Sequence, residues 1–342
     1  MINKTNNSIS KQDILELIGL APNLDEETVK SASDRNSLLT KPPGALGRLE
    51  EIAIWYCGWR QDDKASINNP QVIVFAGNHG VASLGVSAFP QEVTSQMVVN
   101  FKHEGAAINQ LCKVAGATLN VYSLELDKPT NDFTKEAALS SDEFETALLV
   151  GWNSVNNSTD LLVVGEMGIG NSTSAAAVAC CLFGGGSEDW VGRGTGVTDE
   201  GLSLKAKVVR EGMKANASAL SDPLEILRCL GGREMVAMVG AISRARSLRI
   251  PVILDGFICS ASAAVLEKYK SGSLDHCVAG HLSSEGAHSK ILEQLNMKPL
   301  LDLNLRLGEA SGGALAINII KSALACHSGM ATFEEAAVSE KS

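Results

Sequence analysis

The chain has 342 residues, 45% of them hydrophobic, 20% charged and 4% aromatic, with a formal net charge of −10. Those proportions suit a globular α/β protein with a sizeable core and exclude a disordered chain. The acidic balance argues against a nucleic-acid surface, which needs a basic stripe, but leaves small anionic substrates open because local N–H groups and lysines act at short range. The N-terminus, MINKTNNSISKQ, lacks the apolar centre of a signal peptide, and no apolar run reaches membrane-spanning length. None of the eight cysteines falls in a C-x-x-C pair. Buried reduced thiols in a cytoplasmic protein are the expectation.

In chain order, residues 11–60 read as helical. Asp13 to Leu20 is apolar-periodic, Asn23 to Ser33 carries a cap followed by acidic residues, and after the break at Pro42-Pro43-Gly44 a helix resumes with Leu46, Leu49, Ile52, Ala53 and Tyr56 on one face. PQVIVFA (70–76) is a β-rich run stopped by Gly77, Asn78, His79 and Gly80. Helices are expected up to Phe101 and from Glu104 to Ala115, then a strand from Thr118 to Leu124. Asp127 to Glu145 reads as a polar surface excursion. A strand from Leu161 to Val164 leads into a glycine turn and an alanine-rich helix. Ser203 to Leu248 is helical with interruptions at Pro223 and Gly231-Gly232. Strands follow at Pro251–Leu254 and His276–Gly280, a helix over Ser283–Leu295, a last strand at Pro299–Leu303 and a final helix after the LGEASGG turn. The recurring unit is a buried strand, a glycine turn and a small-residue helix. It predicts a mainly parallel, doubly wound sheet with its ligand site at the strands' carboxyl ends.

Two glycine turns carry chemistry. VVGEMGIGNSTSAAA (163–177) ends a strand and opens a helix whose first-turn N–H groups suit a phosphate, yet it contains Glu166, which a phosphate would repel. The order G-x-x-G-x-G is not the dinucleotide fingerprint, and the chain has no G-K-[ST] phosphate loop, so dehydrogenase and nucleoside-triphosphate readings fall. RLGEASGG (306–313) places Glu309 in a second such turn. A lone glutamate there merely complements a helix dipole; two at equivalent strand ends suggest carboxylates sharing a cleft, where one gains a pKa near neutrality. Lys205 and Lys207, after GRGTGVTDEG, are candidates to counter a phosphate, although a solvated lysine is the commoner outcome. HLSSEGAH (281–288) offers serines at a helix start; its His281/His288 spacing is weak support for a metal. His79 reads as a loop residue bonding backbone or substrate.

Taken together, LTKPPGALGRLE (39–50), NHGVASLGVSAFPQEVTSQMVVNF (78–101), VGEMGIGNSTSAAA (164–177), GRGTGVTDEGL (192–202), DGFICSASA (255–263) and RLGEASGGALA (306–316) resemble the nicotinate-nucleotide–dimethylbenzimidazole phosphoribosyltransferase family of cobalamin lower-ligand synthesis. The resemblance implies a Rossmann-like large α/β domain over 63–321 and a small helical domain built from both chain ends, 1–62 plus 322–342. It also implies a homodimer that needs no cofactor and no metal. The implied reaction moves a 5-phosphoribosyl group from nicotinate mononucleotide to 5,6-dimethylbenzimidazole. The family's base matches Glu309, its second acidic residue Glu166 and its active-site lysine Lys205. Ser87, Phe89 and Gln96 match the acceptor pocket, with Met167 and Leu307 in the substrate-binding set. Gly168, Gly170, Asn171 and the Ser283-Ser284 turn match phosphate and ribose contacts. Three positions depart: Asn78 where aspartate is common, Gly286-Ala287 for Pro-Gly, and Ala310 for glycine. Other acceptors (another benzimidazole, adenine or a phenol) and a catalytically silent nucleotide-binding protein are the alternatives.

Overall fold

The computed structural model describes residues 11–339, and its sheet is built from the most apolar runs of the chain. β1 (Pro70–Ala76), β3 (Leu161–Met167) and β4 (Val252–Leu254) are buried at every position. A strand covered by helices on both faces has no solvent side, so it reads as a continuous apolar run. β2 (Thr118–Ser123) and β5 (Cys277–Ala279) close the two edges. All neighbours pair in parallel in the order β2-β1-β3-β4-β5. Winding thus reverses between β1 and β3, and loops leaving those two strands diverge to opposite faces. The crevice that opens there is where doubly wound sheets bind ligands.

Alternation along the strands feeds two cores. Ile73, Phe75, Leu162, Val164, Val252 and Leu254 face one helix layer: α6 (Ser141–Ser154), α7 (Asn171–Phe183), α9 (Pro223–Leu230), α10 (Arg233–Ser247) and α11 (Phe257–Tyr269). Val72, Val74, Ala76, Leu161, Val163 and Ile253 face the other: α3 (Arg48–Arg60), α4 (Glu92–Lys102), α5 (Ala107–Ala115) and α13 (Ser311–Gly329). α6 and α10 cross so closely that a β-carbon on Gly151 would strike the Ala237 backbone, and one on Gly240 the Leu148 carbonyl.

The chain ends meet. Arg35 of α2 (Glu26–Leu38) donates to the carbonyls of His327, Ser328 and Met330 at 3.0, 3.1 and 3.0 Å, and Leu39 bridges Thr332. α1 (Lys11–Gly19) instead places Ile14 and Ile18 in the core beneath α10. α8 (Asp199–Ala215) and α12 (Ala287–Gln294) complete the helices used below.

Three expectations are corrected. The stretch 127–145 is not a polar excursion: Phe133, Ala138 and Leu139 are buried, and α6 begins inside it. A capping box starts that helix, with Ser140 Oγ accepting from the Glu143 N–H and Glu143 Oε2 from the Ser140 N–H. Pro299–Leu303 is not a strand but a single bridge from Leu301 to His281; Asn304, at φ +56°, then turns the chain away. Finally, β3 runs three residues past Val164, because Gly165, Glu166 and Met167 stay in register with Val74, Phe75 and Ala76 of β1. Glu166 is therefore a strand residue and not part of the turn.

Candidate active site

Loops at the carboxyl ends of the strands enclose a cleft of about 310 Å³. Its floor is the end of β3. Glu166 is only 7% exposed there and accepts a hydrogen bond from the side chain of Asn171, the first residue of α7. Burial raises its carboxyl to about 8, against the Asn171 bond and with added repulsion from Asp255, Glu234 and Glu309. Gly168 and Gly170 shape the turn between. A β-carbon at Gly168 would come 2.6 Å from the Gly77 carbonyl, and Gly170 takes φ +95°. No side chain caps α7, so its first turn opens toward the cleft, where Gly170, Asn171 and Ser172 form the wall.

The second carboxyl comes from the loop before α13. Glu309 is 6% exposed, and burial followed by the charge of Asp255 raises it to about 7. Its backbone is left-handed, at φ +59°, between Gly308 at +81° and Ala310 at +63°. Glycine suits 308 because of its left-handed backbone, and a β-carbon there would press on Glu166 Oε1 at 2.6 Å. The two carboxyls thus face one cavity, but not from equivalent strand ends: Glu166 stands at the end of β3, while Glu309 stands on the loop before α13, with no strand preceding it.

Lys205 lies on α8, 1% exposed, behind the wall rather than on it. Its Nζ donates to Ser172 Oγ at 2.9 Å and to the Gly192 carbonyl at 2.7 Å, tying the α7 wall to the glycine-rich loop. Burial lowers it to about 8, opposed by Glu285. Glu285 holds the same loop through the Gly194 N–H at 3.0 Å. Ser87 bonds Thr195 across the opening at 3.2 Å. Phe89 and Leu307, 51% and 57% exposed, put apolar surface on the mouth, suited to a flat ring.

A phosphoribosyltransferase family matches residues 21–338. The nicotinate-nucleotide–dimethylbenzimidazole phosphoribosyltransferase of Ruegeria pomeroyi is 63% identical over 325 residues, 95% of this chain and 96% of its own. That of Jannaschia sp. is 62% identical over 92% of this chain and 93% of its own. The crystal structure of the Thermus thermophilus enzyme of that name superposes with a TM-score of 0.87 at 37% identity, covering 93% of this chain and 100% of that one. The chain belongs to this phosphoribosyltransferase family.

Of the residues that the family motifs single out, the structure brings Glu166, Glu309, Ser87, Phe89, Met167, Gly168, Gly170, Asn171, Ser283 and Leu307 into one cleft lining. Lys205 stands behind it. Ser284 is exposed on the rim, its N–H bonded to the Leu305 carbonyl, and Gln96 lies on the exposed face of α4, off the lining. Asn78 also lies off the lining: its Nδ2 donates to the Leu126 carbonyl at 2.9 Å, a bond an aspartate carboxylate cannot make. Gly286 sits at φ −58° with open space around it, a conformation that proline also adopts, so the turn keeps its shape.

His79 is a loop residue whose ring bonds side chains. It is fully buried, with Nε2 2.6 Å from Glu234 and Nδ1 2.8 Å from Ser174, joining β1's exit to α10 and α7. Both His288 nitrogens are also engaged, by Ser260 and by the Ser283 N–H, which accounts for that residue without a metal. Among the described residues no group of three or more His, Cys, Asp or Glu is placed to hold a metal ion. No helix there is long and apolar enough to cross a membrane.

Sequence reasoning gave no site role to Asp255, Glu285 or Arg306 and weighed His281 only as half of a weak metal pair; of these four, His281, Glu285 and Arg306 are cleft residues. Asp255 is buried at the end of β4. The signal for Asp255 was present: like Glu166, it is a carboxylate placed where a buried strand meets a helix.

Proposed function

We propose that the cleft transfers the 5-phosphoribosyl group of nicotinate mononucleotide to 5,6-dimethylbenzimidazole, releasing nicotinate and forming α-ribazole 5'-phosphate for cobalamin lower-ligand assembly. The observation that carries this reading is Glu309, a carboxyl poised at about 7 on a strained corner inside the cleft. A base works best with a pKa near the operating pH. The nucleotide phosphate is assigned to the open first turn of α7 and the Ser283-Ser284 turn, and the acceptor ring to the apolar mouth at Phe89 and Leu307.

Nicotinate leaves with the electron pair of the C–N bond, which neutralises its ring nitrogen, so its departure needs no protein acid. The sugar's anomeric carbon gains positive character, which a nearby carboxylate stabilises better than water does. One ring nitrogen of dimethylbenzimidazole attacks from the opposite face, inverting a β- to an α-linkage. Glu309 takes the proton from the other nitrogen and makes the attacking one more electron-rich. Holding both flat rings against one ribose supplies much of the acceleration.

Two further parts of this reading accompany the reaction. The chain works as a cytoplasmic homodimer. Segments 1–62 and 322–342 are assigned to one small unit on the catalytic body 63–321; the ties from Arg35 of α2 to residues 327–330 support this, while α1 departs from it by packing beneath α10.

The test combines purified protein, nicotinate mononucleotide and dimethylbenzimidazole, and follows α-linked ribotide and free nicotinate. The wild-type chain forms both. Glu309→Gln lowers kcat by about 100-fold or more while KM for the nucleotide changes by less than about threefold. Unchanged turnover in that variant would remove Glu309 as the base. Nucleotide binding with no product from any acceptor would leave only a binding protein.

A further inference from the structure

The corner that carries Glu309 needs outside support. Gly308, Glu309 and Ala310 are left-handed in succession, at φ +81°, +59° and +63°, and two of them bear a β-carbon that disfavours this region. α13 begins immediately afterwards with Ala310 at its capping position, whose methyl group accepts nothing. The Ser311 N–H bonds the Gly308 carbonyl at 3.0 Å, but the N–H groups of Gly312 and Gly313 that follow would otherwise lack partners. The missing acceptor comes from another strand. Asp255, the first residue beyond β4 and only 1% exposed, accepts from the Gly313 N–H at 2.9 Å. The backbone N–H groups of Gly312 and Ala310 also favour its ionised form. The fit is tight: a β-carbon at Gly312 would strike the His281 ring, and one at Gly313 the Val163 side chain.

We propose that Asp255 is the positioning residue of this site: from the end of β4 its carboxylate caps α13, locks the left-handed corner and thereby holds the Glu309 carboxyl in the cleft. The inference rests on the reading of Glu309 as base. Asp255 does not itself line the cleft; it acts through the turn it holds and through its charge.

That charge faces titratable groups from every side. Glu309 lies on the capped corner, Glu166 on β3, Cys259 on α11, and His281 beyond β5 with Nδ1 at 3.6 Å. Burial raises the Asp255 carboxyl above the usual carboxylate range, while His281 and the three N–H groups pull it back. The backbone groups aimed at it are donors, which suit the ionised form. After burial itself, the Asp255 charge is the cause that lifts Glu309.

The experiment compares Asp255→Ala, Asp255→Asn and Glu309→Gln by steady-state kinetics across pH 5–9, with melting temperatures alongside. Asp255→Ala, which removes both acceptor and charge, lowers kcat by about 10- to 100-fold and changes nucleotide KM by less than about threefold. Asp255→Asn keeps an acceptor oxygen and loses only the charge. It recovers part of that kcat loss, and the acidic limb of its kcat profile moves down by roughly one pH unit. A merely structural residue would lower the melting temperature and leave the limb in place. An unmoved limb in Asp255→Asn, with Glu309→Gln inactive, overturns the role given to Asp255 alone. An active Glu309→Gln overturns the base reading beneath it. Should Asp255→Ala not fold, the limb of Asp255→Asn still decides.

Discussion

Glu166 makes the folded chain sensitive to alkali. Its carboxyl is raised to about 8 in the folded protein, above the usual value of 4.5, so the folded state holds a proton that the unfolded chain has already released. Stability from this group is therefore complete below the unfolded pKa and drains away as pH climbs through about 8. Glu309 adds the same trend over a lower window, up to about 7. The combined effect is on the order of a few kcal/mol. Glu166→Gln, which copies the protonated shape, is expected to melt a few degrees higher than wild type at pH 8.5, with the gain fading toward pH 5. An equal shift at both pH values would show that the carboxyl titrates normally. Ala310 shows opposing terms at one residue. Its left-handed backbone costs roughly 1–2 kcal/mol, but its buried methyl returns about 0.8 and its stiffness relative to glycine another 0.5–1, so alanine is tolerated there.

At the scale of elements, the site exists because the start of α13 presses onto the end of β3. Gly165 permits this: a β-carbon there would sit 2.6–2.7 Å from the Ala310 Cβ and Cα. Gly165→Ala is expected to cost about 1–3 kcal/mol and to lower kcat, because relief can come only by moving the corner that bears Glu309. Thermal melting and turnover at saturating substrate measure the two effects; wild-type values in both would mean the contact yields freely. Strand β3 runs longer than its local sequence predicts. Gly165 and Glu166 look like turn residues locally, and only pairing with β1 keeps them extended. Helix α6 was missed for the opposite reason, since its polar opening hid the S-x-x-E signature at Ser140 and Glu143.

Across the whole molecule, the ends of the chain brace each other around the sheet. Arg35 alone holds three carbonyls of residues 327–330, and His327 bonds the Asp63 carbonyl at 3.0 Å. Arg35→Ala is expected to lose about 1–3 kcal/mol and to speed proteolysis beyond residue 329. Its kcat should stay near wild type, because Arg35 lines no part of the cleft. Limited proteolysis followed by mass spectrometry checks this, and an unchanged cleavage pattern would show that the ends hold without it.

The sequence by itself determined the parts whose physics is local. Buried strands announce themselves as apolar runs, glycine turns as breaks, and the motif set identifies a family with two glutamates and a lysine to examine. Only the tertiary structure decided how those groups behave. Desolvation and Coulomb interaction follow distances through space, and the parallel pairing of β3 with β4, across a long helical connection, places Glu166 near Asp255. Asp255 caps a helix that begins more than fifty residues later, a partnership that no local pattern encodes. Lys205, by its neighbours alone, is open to a phosphate or to solvent; only the packing of α8 sets it behind the wall, where burial lowers its pKa.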